Sequence, residues 1–387
     1  MRRFIICTDE AFPRGSAGAN YLLYFAKALQ DIGYLPIIIA YVEKLEQTSD
    51  EIQEFEGIAY IQVAPSDNKI KHFLTFNFFL HQLYLPVLQQ MNITREDIVW
   101  LYSAELSLIR GIKKFATRQQ ATLGACVVEW YTAYASKSLK EKIHYFCYKK
   151  VYKKELVEVK NLLPISHWLQ AYYGTFKTQS MVLPIMTEVN AKKSEFCESE
   201  IIRFIYPGGK SNKDDVDMII TTLSELGHNY KYEIHLTGIV QSKEEFLKKY
   251  PINVQKELRK HLQLHGWMNY EELERLYDTM DFLVLIREES SATLANFPSK
   301  IPETMSHGII PIVSDIGDYG QILSRELGKH SVLKSNTREE CQKVLLNALK
   351  MNRQQINENK YKVIEVASRV FDYHNYEDAL QEFLSLL

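Results

Sequence analysis

Cysteine is scarce in this 387-residue chain: Cys7, Cys126, Cys147, Cys197 and Cys341 are scattered, odd in number, and form no CxxC pair. A disulfide framework or a zinc ribbon is thereby excluded as the organising device, and a reducing cytoplasm is the expected setting. Charge of one sign is lacking as well. The 46 Lys and Arg nearly balance 48 Asp and Glu, and the formal net charge of −2 excludes a globally basic nucleic-acid binder. Local patches stay open. No apolar run reaches membrane-spanning length, since YLPIIIAY, Tyr34–Tyr41, is only strand-sized. The opening MRRFIICTDE carries two arginines, but its apolar run is too short for a secretory signal and acids follow it. Internal repeats, low-complexity stretches and a DxD triplet placed after a strand are also missing.

What is present is alternation. FIICT, LPIIIAYV, IAYIQVA, DIVWLYS and LGACVVEW read as strands, mostly apolar as strands buried on both faces are, with helical patterns between most of them. A polar stretch, TEVNAKKSEFCESE, then separates a second series: IIRFIYPGG, YEIHLTG, LQLHGW, DFLVLIRE and IIPIVSD. The chain is too long for one ordinary core, and both series read as open, largely parallel α/β sheets. The expected fold is therefore two doubly wound, Rossmann-like α/β domains. They would span 1–188, joined by a closing helix 366–387, and 199–365, with a ligand cleft between them.

Three loops of the second series carry candidate chemistry. YPGGKSNKDD follows a strand: Gly208 and Gly209 let backbone approach a ligand, and Lys210 and Lys213 supply cations that suit a diphosphate. A surface turn with solvated lysines reads the same way. In HGWMNYEEL, Gly266 ends a strand and Trp267 could stack on a planar base or fill the core, while Asn269 and Glu272 form a capping box. In ANFPSKIPETMSHGIIPIVSD, Ser299 reads as an N-cap, Pro302 as a first-turn residue and Gly308 as the C′ residue. Ile301 and Met305 would face the core. Glu303 would face a ligand and accept from a ribose diol, or sit favourably at its own helix end.

These motifs together resemble the nucleotide-sugar domain of GT-B glycosyltransferases, in particular the retaining family 4 of bacterial surface-polysaccharide type. Gly208 with Lys213, His265–Gly266–Trp267 before Glu272–Leu273–Leu276–Tyr277, and Glu303 before Gly308–Ile309–Ile310–Pro311–Ile312 carry the resemblance. It covers Ile201 to Ser314 well and the N-terminal half in outline, where the loop with Gly15 and Gly18 matches best. The resemblance implies a metal-independent transferase with no cofactor, moving a sugar from a UDP- or GDP-sugar to a glycan or lipid-linked acceptor. Lys210 and Lys213 would stabilise the leaving phosphate. Gly15, Gly18, Gly208, Gly209, Gly266, Trp267, Asn296, Phe297 (through its N–H), Lys300 and Glu303 would hold the donor. One departure bears on the sugar: Ala295 occupies the position eight before Glu303 where the family has a second glutamate, and Glu288 and Glu289 lie further upstream. A degenerate, non-catalytic partner subunit and a nucleotide-sugar epimerase are the rival functions.

On the acceptor side, Glu129 with Trp130 ends the strand ACVVEW and is the candidate to orient or deprotonate an acceptor hydroxyl; a salt-bridged edge carboxylate is the plain alternative. His167 is a weaker candidate, better read as a capping or packed histidine. Residues 137–160 interleave lysines with Tyr145, Phe146, Tyr148 and Tyr152, and 71–88 add a second aromatic-rich patch. Amphipathic helices on the sheet would explain both. An anionic membrane surface is the other candidate partner, which would make the protein peripheral on the inner face of the membrane.

Overall fold

The computed structural model describes residues 1–44, 51–65, 75–76, 78–131, 139–190, 196, 198–209, 213–328 and 331–387. The chain forms two compact units, Met1–Met186 with Tyr373–Leu387, and Thr187–Asp372. No helix among the described residues is long and apolar enough to cross a membrane.

The first unit is built on eight strands: β1 Arg2–Thr8, β2 Tyr34–Tyr41, β3 Gln53–Phe55, β4 Ile58–Val63, β5 Ile98–Tyr102, β6 Thr122–Val127, β7 Asn161–Pro164 and β8 Gln179–Ser180. Their order is β3-β4-β2-β1-β5-β6-β7-β8. All pairs are parallel except β3 with β4. That hairpin escaped the sequence reading. Its turn is Glu56–Gly57, with φ of 49° and 80°, and two left-handed residues let a two-residue turn follow the twist of its strands. The central strands are apolar because helices cover both faces: all five residues of β5 and Phe4–Thr8 of β1 are buried.

The second unit has six parallel strands: β9 Ile202–Tyr206, β10 Tyr232–Leu236, β11 Leu262–Leu264, β12 Phe282–Leu285, β13 Ile310–Ser314 and β14 Val332–Leu333. Their order is β11-β10-β9-β12-β13-β14. From β9 the chain winds outward through β10 and β11, then returns to β12 on the other side. The strand order thus reverses between β9 and β12, which opens a crevice at their carboxyl ends.

Two boundaries differ from expectation. Strand β6 stops at Val127, so Glu129 and Trp130 lie in the loop beyond it, where Trp130 packs edge-on to Trp168 and Tyr172. The closing segment is not one helix. A helix Arg353–Val370 ends in the second unit, and a 3-10 turn, Tyr373–Tyr376, precedes a helix, Glu377–Ser385, in the first. There Tyr373 stacks on Tyr24, and Phe383 meets Trp100 edge-on at 6.4 Å.

Candidate functional site

At the crevice of the second unit, the chain leaving β9 runs Pro207-Gly208-Gly209. Gly208 has φ of +90°, and its N–H donates to Thr237 Oγ1 at 2.7 Å. A Cβ on Gly208 would sit 3.4 Å from Lys300 Cε, so the lysine stem lies directly against this turn. Gly238, after β10, has φ of +70°, and a Cβ there would come within 2.7 Å of the Gly209 nitrogen. Backbone rests on backbone, and only glycine satisfies both the dihedral and the space. Gly238 N–H in turn donates to the Gly266 carbonyl at 3.0 Å, and Ile239 N–H to that of His265 at 3.1 Å. The loops after β9, β10 and β11 are thus tied in series.

Beside this backbone lies a charge cluster. Arg287 Nε donates to Asp214 Oδ1 at 2.5 Å, Tyr206 hydroxyl donates to Asp214 Oδ2 at 2.6 Å, and Lys300 Nζ stands 3.6 Å from Asp214 Oδ2. Lys300 Nζ also lies 5.0 Å from the centre of the Tyr206 ring. Arg287 reaches on to Asn296 Oδ1 at 2.8 Å. Backbone holds the partners in place: Asp214 and Arg287 form an antiparallel bridge, and Asp215 N–H donates to Ile286 O at 2.8 Å. Burial alone would push the Asp214 carboxyl up, but Arg287, Lys300 and Tyr206 together hold it below the usual carboxylate range. Burial draws the Lys300 ammonium down, Asp214 pulls it back, and Arg287 lowers it again; the net shift is downward.

Glu303 lies half-buried in the first turn of the helix Lys300–Ser306. Ile301 and Met305 are buried beneath it. That helix ends at Gly308 with φ of +78°, where Ile309 N–H donates to Thr304 O, as a glycine C′ residue requires. Ser299 occupies the N-cap position, but its side chain makes no capping bond because its backbone is already helical. Trp267 is 78% exposed, which settles it as a surface aromatic, and Asn269 with Glu272 closes a capping box just after it.

The structure thus gathers Gly208, Gly209, Lys300 and, through Gly238, Gly266 into one linked set. Lys210 lies outside the described residues, and Lys213 is half-buried just ahead of Asp214. The Phe297 ring is core, edge-on to Tyr319 and Phe371. Ala295 is fully buried, whereas Glu288 and Glu289 are exposed. Asp214, Arg287, Tyr206, Thr237 and Gly238 were not singled out from the sequence. Nor was the pairing of His235, on β10, with the motif residue His265 just after β11: His235 Nδ1 is 3.0 Å from His265 Nε2, and His235 Nε2 is 3.3 Å from Glu233 Oε2. Burial lowers His235 to about 4 despite Glu233, so near neutrality the two rings share a proton as donor and acceptor.

Gly15, Gly18 and Glu129 belong to the first unit. Gly15 is exposed with φ of +117°, and Gly18 is buried in the first turn of the helix Ala17–Asp31. A Cβ on Gly18 would meet the Glu10 side chain at 2.7 Å, and Glu10 Oε2 accepts from the capping Ser16 hydroxyl at 2.7 Å. The loops after β1 and β5 flank that sheet's own reversal point. Burial pushes the Asp9 carboxyl up to about 7, although a hydrogen bond from Ser103 works the other way. Glu129 is half-buried, and its charge adds to the burial that raises the Tyr131 and Tyr152 hydroxyls. His167 is exposed at the start of the helix His167–Gly174, where Ser166 is the cap.

Residues 190–363, less than half of the chain, match the family model described as Glycosyl transferases group 1. No curated protein sequence matches. Solved structures match over the whole length. Sucrose-phosphate synthase from Thermosynechococcus elongatus is 12% identical, with 100% of this chain and 99% of that one covered and a TM-score of 0.69. The structure described as trehalose-6-phosphate from E. coli bound with UDP-2-fluoro glucose is 11% identical, covers 100% and 99%, and has a TM-score of 0.68. Anabaena HepE in complex with UDP and glucose is 12% identical, covers 99% and 100%, and has a TM-score of 0.66. The chain therefore has the GT-B fold of these glycosyltransferases, and its second unit matches the group 1 glycosyltransferase domain.

Proposed function

We propose that the protein is a glycosyltransferase of the retaining family 4 type, which transfers a sugar from a nucleotide-sugar donor to a glycan or lipid-linked glycan in surface-polysaccharide synthesis. The observation that carries the reading is Lys300, lodged against the Gly208 turn at the crevice between β9 and β12. A diphosphate there would meet main-chain amides and an ammonium already partly stripped of water. Stabilising the leaving group demands such an arrangement, and it needs no metal. Two of the structural neighbours are described with UDP-2-fluoro glucose or with UDP and glucose bound, which supports a donor of that class.

In this reading Trp267 stacks on the base and Glu303 accepts from the ribose. Lys210 and Lys213 add cations to the phosphates, and Gly266, Asn296 and the Phe297 N–H complete the donor contacts. Gly15 and Gly18 are further donor contacts in this reading, and Glu129 addresses the acceptor hydroxyl. The chemistry belongs in the cytoplasm, where nucleotide sugars are made.

A second reading has its own observation. Ala295 is fully buried in place of the family's sugar-reading glutamate, as in a partner subunit that has lost catalysis. A thermal-shift screen over nucleoside diphosphates and their sugars tests the main reading, since a ligand bound only to the folded state raises the melting temperature. Glu303→Ala is expected to abolish most of that rise. Release of nucleoside diphosphate from the donor without acceptor then separates enzyme from partner subunit: an inert subunit releases none.

A further inference from the structure

The helix Leu139–Lys150 and the turn of π-helix after it, Val151–Glu155, present a surface that the transfer reaction does not use. Between Lys142 and Lys154 the sequence carries five lysines (142, 149, 150, 153 and 154) and no acid. Helical spacing sorts them. Lys149, Lys142, Phe146, Lys150 and Ile143 fall, in that angular order, within one sector of about 120°. In that sector Phe146 is 64% exposed and Ile143 53%, with Lys142 and Lys149 exposed beside them. Lys153 and Lys154 are exposed one turn on.

The opposite face is used up inside the unit. Tyr148 stacks on Tyr131 with ring centres 4.1 Å apart, Tyr152 is buried, and Glu155 is buried between Arg110 and Lys113. Glu155 is therefore neutralised locally and leaves the stripe positive. A second exposed apolar pair lies in the same unit. Phe78 and Phe79 are exposed just ahead of Leu80, whose N–H donates to Ser107 Oγ at 3.0 Å. His144 of the lysine-bearing helix stands 3.8 Å from Glu105, two residues before Ser107. The helix Leu106–Gln119 thus begins between these two segments.

We propose that this surface docks on an anionic lipid bilayer, with Ile143 and Phe146 entering the headgroup region and the lysines pairing with acidic headgroups. Charge complementarity selects the occupant: large apolar side chains ringed by cations with no acid among them fit an acidic membrane interface, whereas a protein groove would leave the ammonium groups desolvated. The proposal deepens the reading above, because a lipid-linked acceptor would lie in that same bilayer.

The test is co-sedimentation of the full chain with vesicles of phosphatidylcholine alone or mixed with phosphatidylglycerol. Sedimentation is expected only with the mixed vesicles and should fall as salt rises. The double changes K149E/K153E and I143S/F146S should each lower the bound fraction roughly tenfold without moving the melting temperature. In a third variant, Phe146→Trp, the added emission should be quenched by brominated lipid in the mixed vesicles alone. Three outcomes overturn the proposal: no sedimentation, equal sedimentation with neutral vesicles, or loss with the charge variant but not the apolar one, which would mean charge adsorption without entry of Ile143 and Phe146. Donor-induced thermal shifts on the same preparation report separately on the transferase reading.

Discussion

Asp214 and Arg287 are joined by a buried ion pair, Nε to Oδ1 at 2.5 Å, with side chains 0% and 5% exposed, although they stand 73 positions apart in the chain. Each carries a charge that could not stay in the interior alone. Asp214→Asn should therefore lower stability by about 3 kcal/mol, because it leaves Arg287 uncompensated. The pH dependence has a definite sign. The folded carboxyl titrates below its unfolded value, so the pair's contribution is complete above the usual carboxylate range and is lost as pH falls through the lowered value. Chemical denaturation of both proteins between acid and neutral pH checks this: the gap should narrow on acidification.

Trp267 makes the opposite case. An indole left 78% exposed contributes little to folding, so Trp267→Ala should change stability by less than about 0.5 kcal/mol. If it stacks on a base, donor affinity should fall by roughly 1–3 kcal/mol, a weakening of about five- to over a hundredfold. Calorimetric titration with the nucleoside diphosphate measures it, and unchanged affinity removes Trp267 from the site.

Gly238→Ala tests the backbone support. The new Cβ would meet the Gly209 nitrogen at 2.7 Å at a φ of +70°, and the strain is expected to cost about 1–3 kcal/mol. Because Gly209 must shift to relieve it, diphosphate affinity should fall together with the melting temperature. Gly328→Ala is the control: its φ is +78°, but nothing lies within 4 Å. It should lower stability and leave binding intact.

Asp9 carries the reverse linkage to Asp214. Its carboxyl is raised to about 7 by burial, above its unfolded value near 4. The stabilising contribution of the protonated form is complete below the unfolded value and declines as pH rises towards the folded one. Asp9→Asn should therefore raise the melting temperature at pH 8 and leave it nearly unchanged at pH 4. Melting curves across that range decide it.

Local patterns were legible in the sequence because local physics wrote them. The apolar runs of β1, β2, β5 and β9 mark strands that are buried on both faces. Asn269 with Glu272 marks a helix start, and Gly308 marks a helix end that needs positive φ. The turn glycines Gly208 and Gly209 stood out for the same reason. Asp214, Arg287 and Gly238 did not. Their roles come from the sheet, whose reversal brings segments tens of residues apart to one edge, and such a pairing leaves no trace at either end alone. Glu129 was placed on a strand that stops two residues before it, because a strand's end is set by where its neighbour stops pairing: β6 pairs with β7 only as far as Val127.

The chain passes between units twice, and the two crossings lie together. Thr187 N–H donates to Phe371 O at 2.9 Å, and Val189 N–H to Asp372 Oδ2 at 3.0 Å. In topological terms the second unit is an insert, closed at its own neck, in a first unit whose final helix is made last. During synthesis every residue of the insert has been joined before Phe383 exists to cover Trp100. The unit that begins first is thus the one that must wait, and removal of the last fifteen residues, Tyr373–Leu387, would strike the N-terminal sheet and spare the second unit.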